Sequence, residues 1–162
     1  MTNALHVTLP DGAPYIDYVR EFDYPALDVF RAHVTADSYA RWVGPDHLDT
    51  RIEAFEAFEA TPGGSYRFVQ SDDDGEYAFR GVFHNIRPGE FILQTFEYEG
   101  YPDQASLDFL RFEDLPGGRS RLSGHSVYPS VQTRDSFVSS GMESGMAAGY
   151  DKLEQLLAFA TA

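Results

Sequence analysis

The sequence predicts an α+β domain, with an antiparallel sheet of six or seven strands and one long C-terminal helix laid across it. Three observations carry this prediction. Strand-like segments recur about every 10–15 residues from Asp49 to Tyr128, parted by short turns rich in Gly, Pro and Asp. From Ser139 onward the period changes, and Met142, Met146, Tyr150, Leu153 and Leu157 form an apolar stripe at helical spacing. A sheet of this kind has one apolar face to cover, and the final helix is the only element large enough to cover it.

The elements follow in order. Tyr15–Phe22 reads as the first strand. Pro25 opens a short helix, because proline suits the first helical turn. Thr35 is placed to cap a second short helix through Tyr39 and Trp42, with Gly44 and Pro45 ending it. Strands then run over Asp49–Ala60, Ser65–Gln70, Glu76–Ile86, Phe91–Glu99, Ser106–Glu113 and Ser120–Tyr128. Gly81 suggests a bulge or bend in the third of these. Asp72, Asp73 and Asp74 read as a solvated hairpin turn. The last helix begins between Val131 and Ser136, with an interruption near Ser140, where Ser140 and Glu143 match a capping box. Residues 15–160 make one domain, and residues 1–14 are an N-terminal extension.

Composition narrows the function classes. The 162 residues carry a formal net charge of −14, from 26 acidic and 12 basic side chains. Lys152 is the one lysine and the arginines are scattered singly, whereas phosphate backbones need clustered cations. The expectation is no nucleic-acid partner and no adsorption to anionic membranes. There is no Cys, hence no disulfide or thiolate chemistry. No apolar run approaches the ~20 residues of a membrane span, and the N-terminus lacks the charge and apolar core of a signal peptide. The cytoplasm is the expected compartment. Thirteen Phe, ten Tyr and one Trp fall mostly in strand segments, which suits both a packed sheet and an apolar pocket.

Gly141, Gly145 and Gly149 lie on one i, i+4 row of the last helix. Each helical glycine costs about 1 kcal/mol relative to alanine, so the row needs a compensating reason. Either the helix packs closely against something, or the row and its Met neighbours wall a cavity. The two readings are compatible.

The order of elements is familiar, and so are particular residues: Arg20-Glu21-Phe22; Pro25 with Val29-Phe30-Arg31-Ala32; Asp37, Trp42 and Pro45; Pro62-Gly63-Gly64-Ser65-Tyr66-Arg67; Gly81-Val82; Pro88-Gly89-Glu90; Gln94-Thr95-Phe96; Ser140-Gly141-Met142-Glu143 with Gly145-Met146; Asp151-Lys152-Leu153; and Leu156-Leu157. Together they resemble the START-like (SRPBCC) superfamily, and within it the bacterial single-domain homologues of the activator of the heat-shock chaperone ATPase. The resemblance spans about residues 15–158. It implies the helix-grip fold, with an internal hydrophobic cavity between sheet and helix, and no single activity. Relatives bind lipids, hormones or polyketides, and some catalyse cyclisation or dehydration. The eukaryotic relatives behind the family name carry a further N-terminal domain that meets the chaperone, where this sequence has residues 1–14 before its first strand.

Eight residues are expected to border one ligand cavity: Trp42, Tyr66, Phe68, Phe96, Tyr98, Tyr128, Met142 and Met146. Tyr66 and Phe68 share a strand face, as do Phe96 and Tyr98, because residues i and i+2 point together. Trp42 reads either as a plug joining the short helices to the sheet or as a pocket wall. Arg67, Arg80 and Arg111 alternate with the aromatics and are expected outside. None of the five His forms a metal-ligand pair, and no nucleophile elbow is present, so no metal or cofactor is expected. His125 is the weak catalytic candidate, either an ordinary sheet histidine or a cavity acid–base. The leading expectation is a binding protein for a small hydrophobic or amphipathic molecule. The alternatives are a cyclase- or dehydratase-type enzyme acting on an aromatic or polyketide-like substrate, and a module contacting a chaperone or regulator. Homodimerisation is a further expectation.

Overall fold

A computed structural model describes residues 3–43 and 51–160. The strands are β1 (His6–Thr8), β2 (Tyr15–Phe22), β3 (Arg51–Phe58), β4 (Ser65–Asp72), β5 (Gly75–Arg87), β6 (Phe91–Tyr98), β7 (Ser106–Leu115) and β8 (Arg119–Val127). The helices are α1 (Ala26–Val34), α2 (Ala36–Trp42), α3 (Val131–Ser139) and α4 (Met142–Ala160). All neighbouring strands pair antiparallel, in the order β1-β2-β8-β7-β6-β5-β4-β3. The sheet is curved and open, and the architecture is the helix grip.

The eighth strand comes from the N-terminal extension, where His6–Thr8 pair with Asp17–Val19. Three residues are too few for a periodic signal, so the strand is made by pairing rather than by pattern. Arg134, buried on α3, anchors the segment by donating to the Pro10 carbonyl.

Strict alternation buries one face of β2: Ile16, Tyr18, Arg20 and Phe22. Three are ordinary core residues. Arg20 is inward as well, and its guanidinium meets Asp151 of α4 at 3.0 Å and Glu154 at 3.8 Å. The last helix is thus tied to the first core strand by charge as well as by Leu153 and Leu157.

Several local expectations are modified. Pro25 is the N-cap of α1 rather than its first helical residue, and its carbonyl accepts from Asp28 N and Val29 N. The helix-start N–H of Ala26, which has no partner within the helix, donates to Asp114 Oδ1, 2.9 Å away on β7. Thr35 occupies the N-cap of α2, but its side chain makes no capping bond. Gly44, Pro45, Asp49 and Thr50 lie outside the described residues. Gly81 stays in register opposite Tyr66, and the β5–β6 register shift falls between Phe83 and Asn85. A side chain at 81 would collide with the Tyr66 ring and the Thr95 carbonyl, so close approach explains this glycine. The Asp72–Asp74 segment is a hairpin turn in which Asp72 Oδ1 accepts from the Asp74 and Gly75 amides.

The C-terminal helix is broken where the sequence suggests, by a different device from a capping box. Gly141 takes φ +92°, a left-handed conformation that glycine adopts without penalty. The Ser140 hydroxyl turns back to donate to the Phe137 carbonyl. The preceding turn begins at Ser130, whose hydroxyl accepts from Thr133 N at 3.0 Å.

Candidate functional site

Between the concave face of the sheet and α4 lies a cavity of about 290 Å³. Its floor is made by inward residues of six strands, from Ile16 and Tyr18 on β2 to Phe68 and Gln70 on β4. Phe79 stacks on Phe68 at 5.3 Å and on Phe96 at 5.3 Å, which forms a continuous aromatic wall across β4, β5 and β6. Tyr39 and Trp42 of α2 close one end. Met142, Gly145, Met146, Gly149 and Tyr150 form the roof along α4.

The glycine row divides into three roles. Gly141 makes the break between helices. Gly149 packs closely, because a Cβ there would lie 3.0 Å from the Trp42 carbonyl oxygen and 3.6 Å from its ring. Gly145 has no atom within 4 Å of where its Cβ would stand, and it opens directly onto the cavity. Close packing and cavity wall therefore both hold, on successive turns of one helix.

Six of the eight expected residues meet on this cavity: Trp42, Phe68, Phe96, Tyr128, Met142 and Met146. Trp42 is at once a plug and a wall. Its Nε1 donates to the Ala32 carbonyl at 2.9 Å, and its ring stacks on Tyr150 at 5.6 Å. The Tyr128 hydroxyl points at Met142 Sδ, 3.3 Å away. Tyr66 and Tyr98 are not on the wall. Tyr66 lies one layer beyond Phe68, with its hydroxyl donating to the Thr95 carbonyl at 2.5 Å. Tyr98 folds over Gly100 at the end of β6 and touches its cross-strand partner Phe79. Tyr66 faces the core as alternation predicts, but it is packed among Phe58, Phe68 and Phe83, and Tyr98 sits at the last residue of β6 against Phe79. His125 is on the outer face of β8, half exposed, with Nδ1 2.6 Å from Asp17 Oδ1 and its ring between Tyr15 and Phe109. It has no place on the cavity wall. Arg67 and Arg80 are also outside, paired with Glu99 at 2.7 Å and Glu97 at 2.6 Å, and Arg111 lies over the Phe91 ring.

The cavity has one polar pole. Asp108, 8% exposed, stands among its lining residues with Ser106, Ser126 and Gln94. Ser106 Oγ donates to Asp108 Oδ1 at 2.9 Å, and Ser126 and Gln94 are placed to donate to the same carboxyl. Desolvation raises the Asp108 carboxyl above its ordinary range despite these donors. Tyr18 is placed to bond Ser126 and Tyr150, which carries the polar groups from β7 to the helix roof. His33 of α1 also lines the cavity, against Trp42 and Phe112. Its Nδ1 lies 2.8 Å from the Val29 carbonyl, which only accepts, so Nδ1 carries the proton. Nε2 is then an acceptor, and it has no donor among the described residues. Burial lowers the His33 pKa to about 4.

Residues 23–158 match the family described as activator of Hsp90 ATPase homolog 1-like protein. The chain belongs to this family. No curated protein matches it. Solved structures of the same fold include a protein from Arthrobacter aurescens, with TM-score 0.83 and 22% identity over 94% of this chain and 91% of that one. A Rhodobacter sphaeroides protein has TM-score 0.81 and 19% identity over 94% and 98%. A Mycobacterium smegmatis protein has TM-score 0.80 and 18% identity over 97% and 98%. At these identities the likeness concerns the fold of the family, not its ligands. No helix among the described residues is long and apolar enough to cross a membrane.

In this family member the polar pole is the part that sequence reading misses. One signal was available: Ser106, Asp108, Leu110 and Phe112 share the period-2 face of β7, so Asp108 stands in line with core residues. His33 carried a weaker signal, as an i+4 neighbour of the buried Val29 on a short helix.

Proposed function

We propose that this protein binds a small hydrophobic or amphipathic molecule in the cavity between sheet and α4. The observation that carries the reading is the cavity of about 290 Å³, walled largely by aromatic rings and methionines, with a polar pole at Asp108. Specific small-molecule sites share this composition, mostly apolar with a few placed polar groups. An apolar cavity of about 150 Å³ is enough for benzene, so this one suits a two-ring molecule. Flexible methionines opposite rigid rings let the roof adjust to shape. The test is a thermal shift with 1-ethylnaphthalene. A ligand at 100 times its Kd stabilises by about 2.7 kcal/mol, and a saturable rise in melting temperature is expected. Gly145→Leu fills the open space on the roof, so it should fold normally and lose the shift. No shift in the parent protein, or an undiminished shift in Gly145→Leu, overturns the reading.

One observation favours a catalytic variant of the same site. A buried carboxyl held above its ordinary range, linked through Ser126 to Tyr18, is suited to hold and deliver a proton inside a dry cavity. In a cyclase or dehydratase, Asp108 would act as the acid–base, a role the sequence offered to His125. Substrate turnover lost in Asp108→Asn with binding retained would establish this variant.

A further inference from the structure

We infer that the cavity selects an organic cation, an aromatic or apolar body carrying an ammonium group, with the Asp108 carboxylate as its counter-charge. This rests on the binding reading above and specifies its ligand class. The argument begins with what surrounds Asp108. Ser106 donates to it at 2.9 Å, and Ser126 and Gln94 are placed to do the same. Donors converging on a carboxyl favour its ionised form. Yet no Lys or Arg among the described residues pairs with it. The other titratable groups facing it are the phenols Tyr18, Tyr39, Tyr66, Tyr128 and Tyr150, each raised by burial and therefore neutral. Burial without a counter-charge opposes that ionisation, so a carboxyl with aligned donors and no cation of its own is completed by a cation from outside.

Three further features point the same way. His33, on the same cavity, keeps Nε2 as an acceptor without a donor. It is neutral near pH 7 and so does not repel a cation. An ammonium head is donor-only, which matches the unpartnered acceptor at His33 Nε2 and the carboxylate oxygens of Asp108. Aromatic rings such as Phe68, Phe79, Phe96 and Trp42 make up part of the remaining wall, and aromatic faces attract cations, most strongly when desolvated. The net charge of −14 draws cations toward the molecule and turns organic anions away.

The test compares three probes of equal heavy-atom count: 1-naphthylmethylamine, 1-naphthalenemethanol and 1-ethylnaphthalene. Their Kd values are measured at pH 7 by calorimetry on the parent protein and on Asp108→Asn, which keeps side-chain volume. The amine is expected to bind at least tenfold tighter than the alcohol, and in Asp108→Asn the amine and alcohol Kd values should fall within threefold of each other. An advantage smaller than tenfold, or one that survives Asp108→Asn, overturns the inference while cavity binding stands. If none of the probes binds, the cavity reading itself fails and the inference with it. A second measurement needs no variant. The Asp108 carboxyl carbon, followed by NMR across a pH titration of the parent protein, should titrate at lower pH with the amine bound than with the alcohol bound. An equal titration midpoint with both overturns the inference.

Discussion

At the scale of single residues, burial sets the chemistry. His33 has its pKa lowered from 6.5 to about 4 by desolvation, because its ring is sealed among Trp42, Phe112 and Tyr150. Below pH 6.5 the unfolded chain takes up this proton and the folded chain does not, so stability falls as pH drops from about 6.5 to about 4. At about 1.4 kcal/mol per pKa unit, the loss over that window is about 3 kcal/mol. Asp108 acts in the opposite sense. Its raised pKa means the folded state holds a proton that the unfolded state releases, so this contribution is present at low pH and fades as pH rises above 3.8. Urea denaturation at pH 4.5 and pH 7 separates the two. His33→Phe should lose markedly less stability on acidification than the parent protein. Equal acid losses would show that His33 is not held neutral.

At the scale of elements, the α4 glycine row offers a comparison within one helix. Gly145→Ala adds a methyl into open space and gains helix propensity, so it should stabilise by up to about 1 kcal/mol. Gly149→Ala places the same methyl against the Trp42 carbonyl and should destabilise by about 1–3 kcal/mol. Gly141→Ala must adopt φ +92° and should destabilise by about 1 kcal/mol or more. At this chain length 1 kcal/mol moves the melting temperature by about 2–4 °C, so calorimetric melting curves resolve the ranking. A destabilised Gly145→Ala would mean that the roof is filled rather than open.

At the scale of the whole molecule, charge is the dominant feature. Acidic residues outnumber basic ones 26 to 12. The ion pairs on the outer face, such as Arg67 with Glu99 and Arg121 with Glu113, are partly exposed and contribute little each. Self-repulsion therefore outweighs them. Raising ionic strength from about 0.01 M to 0.15 M shortens the Debye length from about 30 Å to about 8 Å, and the melting temperature should rise. A fall would show that the surface pairs act as a cooperative network. The same screening should weaken binding of 1-naphthylmethylamine and leave 1-ethylnaphthalene unchanged, because only the charged probe senses the long-range field.

The sequence by itself determined the elements and their stacking. Period-2 and period-3.6 patterns, proline and glycine punctuation, and the family motifs placed seven of the eight strands, the two short helices and the break at Ser140, since these depend on local geometry and on which face is apolar. The aromatic and methionine walls were legible for the same reason, with Trp42, Phe68, Phe96, Tyr128, Met142 and Met146 brought together. Tertiary structure alone decided the rest. Rings from neighbouring strands packed around Tyr66, and Tyr98 fell at the end of β6, and alternation says which face a residue takes but not what lies against it. Pairing created β1 from three residues that have no pattern of their own. The face of β8 put His125 outside beside Asp17, while Asp108 and His33 turned inward. A side chain's chemistry follows from its desolvation and its partners, and both are set by residues distant in sequence. Asp108, bonded across β7, β8 and β6, is therefore an ordinary strand aspartate in the chain and the polar pole of the cavity in the fold.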